Sequence, residues 1–226
     1  MKENSKAGIS ETVLSEAEAF VRQRLLNEGT GHDWWHIYRV VRLADKLAER
    51  EGAETGIVRL AALFHDLADD KVVASKEQGM AEIAAWLEDH GVGEEDRKQI
   101  LEIIATLSYR GGGGAPMTTL EGQVVQDADR LDAIGAVGIA RTFSYNGSKG
   151  NLIYDPGLPV RETMTEAQYR QERGTAVNHF YEKLLKLKDR MNTAYGRKLA
   201  EKRHRVMEQY LEQFFREWEG EDLQEL

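Results

Sequence analysis

Gly31-His32-Asp33-Trp34-Trp35-His36-Ile37-Tyr38-Arg39-Val40 reads as the opening of a helix. Asp33 is placed to cap it, Ile37, Val40/Val41, Ala44 and Leu47/Ala48 recur at the helical period, and Gly52 closes it. His36 stands one residue before Ile37 and four before Val40, on the inward edge of that apolar face. A second stretch, His65-Asp66-Leu67-Ala68-Asp69-Asp70-Lys71, ends the next apolar helix, which runs through Ile57, Leu60/Ala61, Phe64 and Ala68 with Thr55 as its cap. His65, one after Phe64 and four after Ala61, is again on the inward edge. An imidazole buried among apolar residues needs a partner. Consecutive helices with a short connection pack antiparallel, which brings the two rings together.

The same rhythm extends outward from these two helices. Val13/Leu14, Ala17, Val21 and Leu25 precede them and stop near Gly29; Met80, Ile83/Ala84 and Leu87 follow between Ser75 and Gly91; Ile100, Ile103/Ile104 and Leu107 make a fifth helix. Thr118 with Glu121 offers a capping box for a sixth through Val124, Ala128, Leu131 and Gly135. Two more run through Val177, Phe180/Tyr181, Leu184, Leu187 and Met191, and through Leu199, Val206, Tyr210, Phe214 and Trp218. Gly111–Gly114 and Asn146–Pro159 read as long loops lining a site. No segment alternates long enough to be a strand. The expectation is a single all-α domain over 1–226, a helical bundle with its motif-bearing core at about 30–200 and a C-terminal helix, 193–219, packed on it.

Composition narrows the function. The chain has 226 residues, 41% hydrophobic and 31% charged, so it is neither disordered nor membrane-spanning. It has no cysteine, which excludes thiolate metal sites and cysteine nucleophiles. No apolar stretch follows the N-terminus as a secretory signal would, so a cytoplasmic protein is expected. A net charge of −9 argues against a nucleic-acid polymer as partner. An anionic substrate then needs locally supplied positive charge, and a bound divalent cation provides it.

Acids cluster where such an ion would sit. Asp66, Asp69 and Asp70 crowd the end of an apolar helix, and Asp127, Asp129 and Asp132 interrupt the run Val124-Val125 to Leu131-Ala133-Ile134. The first group is either a solvated helix end or part of a site; the second needs basic partners, Arg130 or Arg141, or a cation. Two imidazoles with carboxylates make a mixed nitrogen–oxygen donor set suited to Mn²⁺, Mg²⁺, Co²⁺, Fe²⁺, Ni²⁺ or Zn²⁺.

His36, then His65-Asp66, then the Asp of Ala128-Asp129-Arg130-Leu131 resembles the H…HD…D signature of the HD-domain metal-dependent phosphohydrolase superfamily. The first stretch, His65–Lys71, Gln126–Ala136 and His179–Leu185 together resemble its small stand-alone bacterial branch. The resemblance implies an all-helical domain holding one divalent ion through His36, His65, Asp66 and Asp129, with Asp132 the competitor for the distal place. His32 and His90 are the only further histidines that bear on a second ion. The resemblance also points to Asp69 or Asp70 as general acid–base, one turn beyond the ligand pair; by position Lys71 is the candidate to grip a phosphate, and Arg39, three after His36 on the same face, is a second.

The function implied is hydrolysis of a small phosphorylated substrate, a nucleotide first of all: a nucleoside or deoxynucleoside triphosphate pyrophosphohydrolase. A 5'-nucleotidase-like phosphomonoesterase, a guanosine tetraphosphate hydrolase and a non-catalytic metal-containing nucleotide sensor are the alternatives. Trp34 and Trp35 read as core, with base stacking the competing role. The last helix either closes the domain or makes a homodimer.

Overall fold

The computed structural model describes residues 8–26, 33–68, 75–107, 116–161 and 174–225. Among them it shows nine α-helices joined by loops and 3-10 turns, with no strand, as an all-α chain requires. None of these helices is long and apolar enough to cross a membrane. The chain divides into two compact units, residues 1–128 and 129–226.

The first unit is built around α3 (Thr55–Phe64), which buries Gly56, Ile57, Val58, Leu60, Ala61, Ala62, Leu63 and Phe64. A helix apolar nearly all round is stable only when neighbours cover every side. Three do: α1 (Glu11–Leu25), α2 (Trp34–Glu51) and α5 (Glu94–Leu107) all pack on it. Burial of each large apolar side chain in α3 contributes on the order of 1.5–3 kcal/mol. α2 is amphipathic and turns Trp34, His36, Ile37, Val40, Ala44, Leu47 and Ala48 inward. Its ends are as expected: the Asp33 side chain accepts from the His36 amide, and Gly52 adopts the left-handed conformation (φ 78°) that closes the helix. α4 (Lys76–Asp89), capped by Ser75, packs on α5 and on the 3-10 turn His65–Ala68 that follows α3. Phe20, Phe64 and Trp86 interlock with ring centroids 5.0–6.2 Å apart.

Two caps differ from expectation by one residue. α3 is capped by Glu54, whose carboxylate accepts from the Ile57 amide, and Thr55 is already helical. α6 (Leu120–Asp132) is capped by Thr119, which accepts from the Gly122 amide, rather than by Thr118. The Glu121 carboxylate is drawn away from the capping box because it accepts from the Glu54 amide at 3.0 Å and from Gln99 at 2.8 Å.

The second unit corrects the sequence reading more. Residues 135–148 form α7 (Gly135–Ser148), so the loop begins at Lys149 instead of Asn146. Asn146 is buried, donates to the Thr142 carbonyl and accepts from Asn151, which fastens the end of the helix to the loop. The helix expected over 177–191 is only α8 (Ala176–Glu182), followed by 3-10 turns at Leu184–Lys186 and Lys188–Arg190. Leu184 and Leu187 stay buried, because a three-residue spacing suits a 3-10 turn as well as an α-helix. α9 (Ala194–Trp218) packs on α7 and buries Gly196, Ala200, His204, Met207 and Leu211, while Val206 and Trp218 are exposed. The aromatic stripe forms a layer: Phe143 and Phe180 meet Tyr210, and Tyr154 meets Phe214, Phe215 and Trp218.

Glycine is required at the α6–α7 turn. Gly135 has φ 76° with Arg203 pressed against it, and a Cβ on Gly138 would collide with the Ala133 carbonyl. Gly147, in the same helix, has nothing within 4 Å of such an atom. Gly138→Ala therefore lowers the thermal midpoint by roughly 5–10 °C, whereas Gly147→Ala leaves it unchanged or slightly raised; a melting curve of each checks this.

Desolvation, with Lys183 and Arg161 nearby, lowers the pKa of His179 from 6.5 to about 3. Between those values the unfolded ring binds a proton that the folded ring refuses, so stability falls as the pH drops from 6.5 toward 3. His179→Gln removes that contribution. Its denaturation midpoint is expected to change less than the wild type's between about pH 7 and pH 5.

Candidate metal centre

The capping of α2 by Asp33 fixes His36 in the first turn. The Asp33 Oδ1 accepts from the His36 amide at 2.8 Å, and the side chain of His36 is turned inward with 1% of the residue exposed. At the end of α3 the backbone tightens into the His65–Ala68 turn, whose four residues are all buried. His65 Nδ1 lies 2.8 Å from the Ala62 carbonyl oxygen. A carbonyl only accepts, so Nδ1 carries the proton and Nε2 presents its lone pair. α2 and α3 pack together, and the two rings meet with centroids 5.3 Å apart.

Their Nε2 atoms are 3.3 Å apart, and Asp66 turns one oxygen to each: Oδ2 at 3.3 Å from His36 Nε2, Oδ1 at 3.4 Å from His65 Nε2. Donors bonded to one ion at about 2.0–2.1 Å, at tetrahedral to octahedral angles, are separated by about 2.9–3.4 Å. The ring–ring separation and the nearest approach of each ring to the carboxylate fall in that range, one donor atom from each residue lies within 4.8 Å of the others, and the chemistry of two imidazoles and a carboxylate fits a divalent cation. Among the described residues this is the one group of three that could hold a metal. The Ala62 carbonyl is the supporting contact that sequence reading missed; a backbone group leaves no residue-type signal, although a carbonyl three residues before a helix-ending histidine is in reach by position.

The other expected residues are placed as follows. Asp129 lies half-buried in the last turn of α6, at the first position of the second unit. Asp132 is buried and accepts from Arg141 at 2.7 Å. Arg130 donates to the Arg190 carbonyl. Arg39 is half-buried on α2. His32, Asp69, Asp70 and Lys71 lie outside the described residues. His90 stacks on Trp86 at 3.7 Å with its Nδ1 2.7 Å from the Trp86 carbonyl oxygen, a packing role. The two tryptophans separate: Trp34 is core and Trp35 is 55% exposed.

The HD domain family model matches residues 34–134, a span that takes in His36, His65, Asp66 and Asp129. The uncharacterized protein YpgQ of Bacillus subtilis (strain 168) is 40% identical over 214 residues, 92% of this chain and 97% of its own. The chain belongs to the HD-domain family. An HD-superfamily hydrolase from Bacillus thuringiensis has the same fold, with a TM-score of 0.75, 46% identity, and 92% and 98% of the two chains covered. YpgQ crystallised in complex with ADP gives a TM-score of 0.74 at 39% identity, over 90% and 97%. The symmetrical bis(5'-nucleosyl)-tetraphosphatase of Bacillus subtilis is 32% identical over 131 residues, 52% of this chain and 68% of its own. This HD-domain protein is a metal-dependent hydrolase, and His36, His65 and Asp66 form a buried group with the chemistry to hold a divalent ion.

Metal content tests the donor set. The wild type is expected to retain about one divalent ion per chain after dialysis, and His36→Ala, His65→Ala or Asp66→Ala to retain almost none. Metal analysis of the dialysed proteins, beside melting curves with and without a chelator, reads out both occupancy and its contribution to stability.

Proposed function

We propose that this HD-domain protein hydrolyses nucleoside and deoxynucleoside triphosphates to the monophosphate and pyrophosphate, in the cytoplasm, with one divalent cation of the Mn²⁺, Mg²⁺ or Co²⁺ type. The observation that carries the reading is the buried group of His36, His65 and Asp66 in a chain whose relative YpgQ has been crystallised with ADP. A nucleoside diphosphate bound by that relative supports a nucleotide here. The similarity to YpgQ runs over 92% of this chain and so through both compact units, which supports reading 1–226 as one domain.

In this reading Asp129 is the fourth ligand, supported by its place in the matched span and by the commitment of Asp132 to Arg141. A divalent ion, when bound, offsets phosphoryl charge and makes water more nucleophilic. The chain's own residues do the rest. Arg39 and Lys71 hold phosphate oxygens, and Asp69 or Asp70 takes the proton of the attacking water. The water oxygen forms a bond to the α-phosphorus as the bond to the bridging oxygen breaks, and pyrophosphate leaves. Similarity to the tetraphosphatase favours a second reading, cleavage within the polyphosphate chain of a dinucleoside tetraphosphate into two nucleoside diphosphates.

Purified protein assayed with Mn²⁺, Mg²⁺ and Co²⁺ against nucleoside triphosphates, monophosphates, guanosine tetraphosphate and a dinucleoside tetraphosphate separates these by product. Equimolar pyrophosphate and monophosphate is the expected result; nucleoside diphosphates from the dinucleotide establish the second reading. Asp66→Ala and Asp129→Ala are expected to lose at least about a hundredfold in rate, and Asp132→Asn far less. No turnover above the Asp66→Ala background with any substrate overturns the proposal.

A further inference from the structure

We propose that Trp35 is the platform on which the nucleobase of the substrate stacks, an inference that rests on the nucleotide reading above. Trp35 is 55% exposed in the first turn of α2, next in sequence to the wholly buried ligand His36. Leaving an indole in water forgoes the most favourable burial any side chain offers. Trp34 beside it takes that burial and Trp35 does not, because successive residues of a helix point about 100° apart.

The ring is nevertheless held. It meets Tyr38 edge-on, centroids 5.9 Å apart at 77°, and Tyr38 in turn lies against the buried Trp34 at 6.4 Å and beneath the guanidinium of Arg42 at 5.9 Å. An exposed aromatic ring braced by a neighbour binds a flat partner at a reduced entropic cost. Trp35, Tyr38, Arg39 and Arg42 follow at the i, i+3, i+4 and i+7 spacing that places them on one stripe of the helix. Arg39, four after Trp35 and three after His36, stands on the helix surface between that stripe and the ligand edge.

The order around α2 is therefore aromatic ring, cation, metal ligand. A nucleotide has the same order of chemistry: a flat base, then negatively charged phosphates, then the phosphorus that is attacked. A phosphorylated compound without a base would use the cation and the metal centre but leave Trp35 idle. Stacking is tolerant of base identity, since every base has a π-face, so this contact selects nucleotides as a class over sugar phosphates and inorganic polyphosphates.

Calorimetric titration with ADP and with pyrophosphate, both in the presence of Mn²⁺, tests this on the wild type, Trp35→Ala and Trp35→Phe. Trp35→Ala is expected to weaken ADP binding about tenfold and to leave pyrophosphate binding unchanged, and Trp35→Phe to restore most of the ADP affinity. A merely structural role would lower both affinities together or shift the melting midpoint, and that result overturns the proposal. So does unchanged ADP affinity in Trp35→Ala. A wild type that binds pyrophosphate but not ADP overturns the nucleotide reading itself, whereas ADP binding that ignores the Trp35 substitution overturns only the assignment of the platform.

Discussion

Two ring nitrogens and a carboxylate lie buried at 3.3–3.4 Å from one another, a spacing that calls for a shared proton or a cation among them. The donation of the His65 Nδ1 proton to the Ala62 carbonyl sharpens the requirement, because it leaves Nε2 with a lone pair and no hydrogen to offer. A proton or a cation can meet the need, and a divalent ion meets it for all three groups at once. Folding thus gathers a donor set that suits a divalent ion, and any ion that binds the folded state alone adds its binding free energy to stability. The stability of the first unit and the chemistry of the centre are one problem.

That arrangement depends on α3. Its apolar surface locks it against α1, α2 and α5, so the position of its C-terminal end relative to the start of α2 is set by packing and not by the charged groups themselves. Rotation of α3 to separate His65 from His36 would bring Ile57, Leu60 or Phe64 toward water, each at a cost of about 1.5–3 kcal/mol. The Asp33 cap does the same for α2, fixing which residue is the first helical one and hence which way His36 points.

The parts legible in the sequence are those where a residue's own chemistry decides its conformation. Asp33, Ser75 and Gly52 act alone as caps, and each was readable. Thr55 and Thr118 were not, because adjacent residues competed and Glu54 and Glu121, which settle the matter, reach each other across the fold. The break after Glu182 hid in a spacing common to two kinds of helix, and α7 hid behind Asn146 and Gly147, residues that favour loops unless tertiary partners hold them. His36, His65 and Asp66 were legible because buried imidazoles on facing helices have few other uses. The Ala62 carbonyl was not, since backbone groups are alike in every sequence. Trp34 and Trp35 make the same point in one dipeptide: identical side chains, one buried and one exposed, told apart only by helical phase.

Charge brings these threads together. A chain of net charge −9 repels an anionic substrate at a distance, where salt screens the field beyond about 8–10 Å. Binding must therefore come from short-range terms. A buried ion supplies one, since its field is strongest where water is excluded. In the proposed function a cation on the helix surface and a ring that stacks supply the others, both acting at short range. An acidic surface and the proposed phosphate-handling centre are thus compatible: the surface disfavours long polyanions, which meet it at many points, while the small nucleotide proposed as substrate needs only the few contacts proposed along the first two turns of α2 and the end of α3.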